Sequence, residues 1–508
     1  MQNISIHINQ VSSLTQKSIL LSLSSFIDIL LKVVAAIFVT RLITEKLGTN
    51  LYGAWTMVLQ IMGYIALTNL KTSTTLKTRL AAINHLEDIF QKQLLLSASR
   101  KLFHYTLLLT IFISFLTILF SEKIFTDNNA SISEINVVLV FGVLGLIVDQ
   151  YGSLYGNALR GSNLDYKGIG IRSLAFIIFN VFVVVFLHFG LGIIGLAVSS
   201  LVGSVITALI WRKLTKKILG WYKIVTVKID FFYVYFKQSI LTLVYSLGNI
   251  ILVNSDAILI GIVMGNKYAG FYFISTTFVR SLILPIITIL VSSAGVGLSS
   301  LINTKNYERT RTITNEISQI ATLIIGAGGV LYILFNESLI HYWVGSKFYS
   351  VENVEVFFLI MVIVQFSNTL IQYLIDGLQL YKEKAIVSII SALFFLPVSV
   401  ILLKYFGLKG FIAASMLSNL LSIFCYLKIM KKLGSYFIDL KEMLIGWFVL
   451  GVLFIAVSIF VKPLIPFLHF NILILLFLSM SVLLGLSVFV LLPSLFKQRL
   501  LANNPFKN

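Results

Sequence analysis

Long apolar runs recur along almost the whole of this chain, and they restrict its fold more than any other feature does. A helix that crosses a bilayer needs about 20 mostly apolar residues. About fourteen runs meet that requirement, near 19–44, 50–70, 102–120, 136–156, 169–187, 191–211, 238–263, 268–298, 317–335, 355–376, 386–404, 408–427, 443–461 and 468–492. In lipid every backbone N–H and C=O must be satisfied within the protein, so only helices and closed barrels can span. The alternating strands of a barrel are absent, and an all-α polytopic membrane protein is expected. Composition agrees: of 508 residues, 58% are hydrophobic and 12% charged, where an ordinary soluble domain carries about 25% charged residues.

The net charge is +19, which in a soluble protein would raise the question of nucleic acid. Its placement excludes that partner here. With the N-terminus on the inner side, Lys and Arg in inner loops outnumber those in outer loops by about four to one, which predicts both termini in the cytoplasm. Basic loops such as Arg212 to Lys223 are accounted for by topology and by contact with anionic lipid. Residues 1–17 lack a basic segment, a short apolar core and a small-residue cleavage site, so no removable signal peptide is expected.

The chain repeats itself. LGTNLYGAW (Leu47 to Trp55) has a counterpart in MGNKYAGFY (Met264 to Tyr272), and FGL at Phe189 to Leu191 recurs at Phe406 to Leu408, both at a shift of 217. Each repeat holds six helices, an even number, so the halves enter the membrane from the same side, as in parallel-repeat transporters. The expected organisation is a six-helix lobe at 1–220, a second at 221–434, and an accessory helix pair with a cytoplasmic tail at 435–508. Two such lobes would enclose a central cavity that opens by rocking. Pro285 and Pro397 would each remove a backbone bond and kink their helices.

Several chemistries are excluded. No Gly-Lys dipeptide occurs, so there is no phosphate-cradling ATPase loop. The glycines at 190, 192 and 195 open a membrane span instead of joining a soluble strand to a helix, which rules out a dinucleotide site. The one cysteine, Cys425, excludes an intrachain disulfide, and the six histidines lack metal-ligand spacing. No soluble segment has room for a catalytic domain, so the protein is not read as an enzyme. The longest, Lys71 to Lys101, could hold a helix along the inner interface.

Ionisable residues inside the apolar runs are the candidate site, because a charge near the bilayer centre costs about 2.5–3.5 kcal/mol on insertion scales. Asp28 and Lys32, four apart, share a helix face, either as a mutual ion pair or as cavity lining. Arg41 lies near the outer end of the first run, within snorkelling distance of the interface. Arg280 sits near the middle of the eighth run with Thr276 on its face, too deep for easy snorkelling. Asn249 and Asp256, seven apart, are expected on one stripe of the seventh helix, with Asp256 a partner for Arg280 or a coupling-ion site. Asp149 and Asp376 lie toward cytoplasmic ends, as structural or rim groups. Under the 217 shift Lys32 maps on Asn249 and Arg280 on Gly63, so the repeat does not preserve charge.

ITEKLGTNLYGAW after the first helix, LIHYWVGSKFYS (Leu339 to Ser350), the helix starts FGLGIIG and FGLKGFIAAS, and the two six-helix halves with a terminal pair resemble polysaccharide repeat-unit flippases of the Wzx kind, in the multidrug/oligosaccharidyl-lipid/polysaccharide exporter superfamily. The resemblance spans essentially the whole chain. It implies transfer of an undecaprenyl-diphosphate-linked oligosaccharide, for O-antigen or capsule, from the cytoplasmic to the outer leaflet of the bacterial inner membrane, beside a polysaccharide polymerase. Lys32, Arg280 and Arg41 are then the candidate diphosphate contacts, as charge-assisted donors. Coupling to H+ or Na+ is implied without any other cofactor or metal, with Asp28, Asp256, Asn249 and Asp149 as ion-carrying or charge-balancing groups. A peptidoglycan-precursor flippase and a MATE-like drug or cation antiporter remain the alternatives; the antiporter would call for net negative charge in its cavity.

Overall fold

The structure, a computed structural model, describes Ala35 and residues 38–464 except for short stretches at 82, 84–87, 126–130, 163, 165–168, 304, 346–347, 350–353 and 434–436. Asp28, Lys32, the expected span at 468–492 and most of that at 19–44 lie outside the described residues. Among the described residues there is no strand, and ten helices are long and apolar enough to cross a membrane. The chain is a multi-pass, all-helical membrane protein.

Two compact units are present. Unit 1 comprises residues up to Ser246 together with Gly265–Lys267; unit 2 comprises Leu247–Met264 and the chain from Tyr268 onward. Unit 1 runs through α1 (Phe38–Asn69), α2 (Thr72–Ala81), α3 (Ile89–Leu119), α4 (Ile132–Gly161), α5 (Ile169–His188), α6 (Gly192–Ile218) and most of α7 (Ile229–Asn254). Unit 2 holds α8 (Asp256–Met264), the larger part of α9 (Asn266–Phe278), a π-helical turn at Val279–Ile283, α10 (Leu284–Asn303), α11 (Tyr307–Trp343), α12 (Glu355–Gly377), α13 (Tyr381–Lys432) and α14 (Leu440–Ala456).

Lipid tails are as apolar as leucine, so small residues and hydrogen bonds must hold membrane helices together. In unit 1 a stripe of glycines on α4 lets α6 approach. A Cβ on Gly145 would stand 3.3 Å from the Leu201 backbone, one on Gly152 3.0 Å from the Ala208 Cβ, and one on Gly156 3.3 Å from the Trp211 ring. Hydroxyls tie the rest: Tyr235 donates to the Thr72 carbonyl at 2.7 Å, and Thr68 and Thr110 meet at 2.6 Å. Unit 2 packs on aromatic rings, with Tyr272 edge-on to Phe358 and Phe411, and on the Asn368–Asn419 contact at 2.8 Å.

Helix continuity agrees with the sequence at one expected boundary and departs from it elsewhere. The runs at 386–404 and 408–427 are two helical stretches of α13 that meet, as expected, at a break at Gly407, where the dihedrals are non-helical (φ 59°, ψ −146°). Pro397 keeps helical dihedrals, so the break falls ten residues after it, where no side chain hinders the backbone. The run at 238–263 is interrupted at Ser255, whose hydroxyl bonds back to the Ile251 carbonyl; Asp256 starts a new helix, so Asn249 and Asp256 do not share one uninterrupted stripe. Pro285 follows the π turn, which absorbs the backbone bond that proline cannot make.

The 217-residue repeat recurs in the backbone. Gly48 and its counterpart Gly265 have φ of 76° and 101°, and Gly190 and its counterpart Gly407 have φ of 76° and 59°. Both anchors of the repeat are thus left-handed turns that need glycine.

Asp439 caps α14: it accepts from the backbone N–H groups of Lys441 and Glu442 and pairs with Arg311 of α11 at 2.7 Å. The Arg311 hydrogen bond and these amides hold its carboxyl below the usual carboxylate value of 3.8. A depressed folded pKa contributes stability that is complete above 3.8 and lost as pH falls through the lowered value. The thermal midpoints of wild type and Asp439→Asn, separated at pH 7, are therefore expected to converge below about pH 3.8. At Gly407, alanine would be forced into a glycine-only region at a cost of order 1–3 kcal/mol. Gly407→Ala is expected to lower the thermal midpoint in detergent, whereas Gly451→Ala, inside α14 with nothing within 4 Å of its Cβ, is expected to leave it unchanged or raise it.

Candidate functional site

The candidate site in unit 2 centres on two residues placed by irregular backbone. Asp256 is the first residue of α8, where its carboxylate accepts from the Ala257 N–H at 3.0 Å and lies at the positive end of the helix dipole. Arg280 lies inside the π turn, which inserts extra backbone and re-aims the side chains on it. The guanidinium reaches back to both: Nη2 donates to Asp256 Oδ2, and Nε donates to Thr276 Oγ1 at 2.9 Å, one turn earlier. Around it stand three rings, with the guanidinium carbon 4.7 Å from the Phe273 centroid, 5.2 Å from Tyr272 and 5.5 Å from Phe358. Cation–π contacts of this kind are worth about 0.5–2 kcal/mol each, more when desolvated. Asp256 is 7% exposed, but Arg280 keeps 26%, so the cation is the half of the pair a ligand can touch.

The expected site residues are thus brought together only in part. Arg280, Thr276 and Asp256 form one cluster. Arg41 is exposed on α1, its carbonyl accepting from Thr44 Oγ1 at 2.9 Å. Asp149 is exposed on α4. Asn249 lies in α7, with its side chain outside the described residues, as are Asp28 and Lys32. Among the described residues, no group of three His, Cys, Asp or Glu could hold a metal ion.

Three charged groups went unnoticed in the sequence. Lys384, 1% exposed, donates to both oxygens of Asp376 at 2.8 and 2.7 Å across the turn from α12 to α13. Their spacing of eight, across the Gln379 turn, carries no helical signal. Lys462 lies 3.4 Å from Glu337 and 3.8 Å from the buried Glu355, and receives no help from spacing, because its partners are more than a hundred residues away. Tyr349 donates to Glu355, and burial together with that carboxylate pushes its phenol up. Lys71, after α1, has left-handed backbone (φ 53°) and a side chain whose burial lowers its pKa.

Removing one member of a buried pair strands the other charge, at about 3–5 kcal/mol. Asp256→Ala is expected to lose about that much stability in thermal or denaturant unfolding in detergent. Asp256→Leu combined with Arg280→Met should recover most of it. A single variant as stable as wild type would mean that the pair is solvated.

Comparisons with known proteins bear on the family and the fold. A family described as "Polysaccharide biosynthesis protein" matches residues 52–353. No match was found among curated proteins. Among solved structures, the chain is similar to the lipid II flippase MurJ in an inward closed conformation, at 14% identity and TM-score 0.68, over 95% of this chain and 100% of that one. It is similar to an inward-facing multidrug resistance MATE family transporter of the MOP superfamily, at 15% identity and TM-score 0.61, over 86% of this chain and 98% of that one. A MOP superfamily transporter from Pyrococcus furiosus, described by the reverse polarity of its binding pocket, matches at 15% identity and TM-score 0.55, over 82% and 95%. At these identities the likeness is one of fold. The match over more than half of the chain settles the family: this chain belongs to the polysaccharide biosynthesis protein family, and its fold is that of the MOP superfamily.

Proposed function

We propose that this protein is a flippase that carries an undecaprenyl-diphosphate-linked oligosaccharide, an O-antigen or capsule repeat unit, from the cytoplasmic to the outer leaflet of a bacterial inner membrane by alternating access. The observation that carries this reading is Arg280, a partly exposed cation held at mid-span by one carboxylate, one hydroxyl and three aromatic rings. A diphosphate offers a guanidinium the same planar oxygen pair that a carboxylate does, with more charge. Substrate phosphate then exchanges with Asp256 for Arg280. The released Asp256 takes up H+ or Na+, which couples the ion gradient to loading. Lys32, and Arg41 nearer the outer end, supply further positive charge, while Asp28, Asn249 and Asp149 balance charge along the path. Both termini face the cytoplasm, and the flipped product passes to a polysaccharide polymerase.

The family supports a glycan substrate. The full-length likeness to a lipid II flippase supports a second reading, a peptidoglycan precursor that presents the same lipid diphosphate. Arg280→Ala and Lys32→Ala are each expected to abolish surface polysaccharide at unchanged membrane abundance, measured by glycan immunoblot against an epitope-tagged protein. Arg280→Lys, which keeps charge but loses the fork, should retain part of it. Wild-type export by both alanine variants would sink the cationic site. Rescue of a strain depleted of its peptidoglycan-precursor flippase would favour the second reading.

A further inference from the structure

A second gathering of cations lies in unit 1, at the basic end of α3. A cleft of 480 Å³ opens there between Ser97, Arg100, Lys101, His104 and Tyr105 of that helix and the extended segment 224–227. This segment is a strap between α6 and α7, pinned to α3 at two points: the Val225 N–H donates to Ser97 Oγ at 2.8 Å, and Gln93 Nε2 donates to the Trp221 carbonyl at 3.1 Å. No backbone bond among the described residues takes up the amides of Ile224, Thr226 or Val227. No carboxylate among the described residues pairs with Arg100 or Lys101, in contrast to Arg280, Arg311, Lys384 and Lys462.

The depth of the cleft follows from α3 itself. Leu102 to Leu119 carries no Asp, Glu, Lys or Arg, and at 1.5 Å per residue it covers about 27 Å, close to the hydrocarbon thickness. Arg100 and Lys101 therefore stand at the headgroup level of one leaflet. Tyr105, 58% exposed, lies edge-on to Phe232, and the Lys101 ammonium sits 5.0 Å above the same ring. The cleft thus combines two uncompensated cations and unspent amide and hydroxyl donors with an aromatic rim that faces the acyl region.

We propose that this cleft is a phosphate site filled by a membrane lipid headgroup, with the phosphate between Arg100 and Lys101, the strap and the Thr226 hydroxyl donating hydrogen bonds, and the acyl chains lying along Tyr105 and Phe232. The site is independent of the transported substrate. A soluble phosphate would satisfy the cations equally but leave the aromatic rim without a role.

The test takes the full-length protein in detergent micelles and titrates phosphatidylglycerol, phosphatidylcholine or sodium phosphate at equal phosphorus, reading bound lipid by native mass spectrometry and protection by the thermal midpoint. Arg100→Gln and Lys101→Gln are each expected to weaken phosphatidylglycerol binding about fivefold, and together about thirtyfold. Lys216→Gln with Lys217→Gln, at the exposed end of α6 and off the cleft, should change it less than twofold. Thr226→Val, which leaves the charge intact, should weaken it as well, and unchanged lipid-free midpoints exclude misfolding. Wild-type binding by the double variant, or equal binding of phosphatidylcholine, overturns the site. Equal protection by sodium phosphate overturns the lipid as its source.

Discussion

A charge taken out of water must have its field answered within a few ångströms, and unit 2 is built around that requirement. Two unit charges 4 Å apart interact by about 4 kcal/mol at an effective dielectric near 20, but the desolvation of each ion costs a comparable amount. Such a pair therefore fixes geometry more than it adds stability. Arg280 and Asp256 join the π turn to the start of α8, Lys384 and Asp376 close the turn between α12 and α13, and Lys462, beyond α14, reaches Glu337 and Glu355. Each bond crosses between elements that lipid alone would not hold together. The interior of unit 1 takes another course. Thr72, Ser99 and Tyr235, and Thr68 with Thr110, meet as neutral hydroxyls, which cost less to desolvate.

Helical class was legible in the sequence because it follows from the solvent: a run of apolar residues in lipid can satisfy its backbone only as a helix. The repeat was legible because glycine is favoured where the backbone takes a positive φ, and Gly48, Gly190, Gly265 and Gly407 all do so. Helix continuity was less legible. Proline marks a missing donor, but Pro397 sits in an unbroken helix and Gly407 supplies the bend, since a lost hydrogen bond is tolerated where a forbidden dihedral is not.

The same contrast governs the site. Arg280 stood out because a guanidinium amid apolar residues needs an explanation, and Asp256 stood out as its nearest plausible counter-ion. Pro285 marked an irregularity nearby, but no residue type marked the π turn that carries Arg280. Residue type and spacing do not single out Lys384 and Lys462, because neither reports burial or distant partners: one is 1% exposed and the other touches two carboxylates. Lys71 was hidden for a related reason. It is partly buried and follows left-handed backbone at Leu70 and Lys71, which neither residue type favours.

The departure from symmetry bears on mechanism. Arg280 corresponds under the repeat to Gly63, around which a Cβ would meet nothing within 4 Å, so the two halves share turns without sharing charge. An ion pair is nearly silent at a distance, because the fields of its members cancel. It distinguishes ligands on contact, by whether they can replace one partner. A neutral sugar cannot compete with Asp256 for Arg280, and a cation would be repelled by the exposed half of the pair. A phosphate can replace the carboxylate, at the cost of leaving Asp256 uncompensated in a poorly solvated place. Under the proposed function, that cost would make occupancy depend on a second, positive ligand, and the arginine paired with a single acid would act as the elementary form of a coupled site.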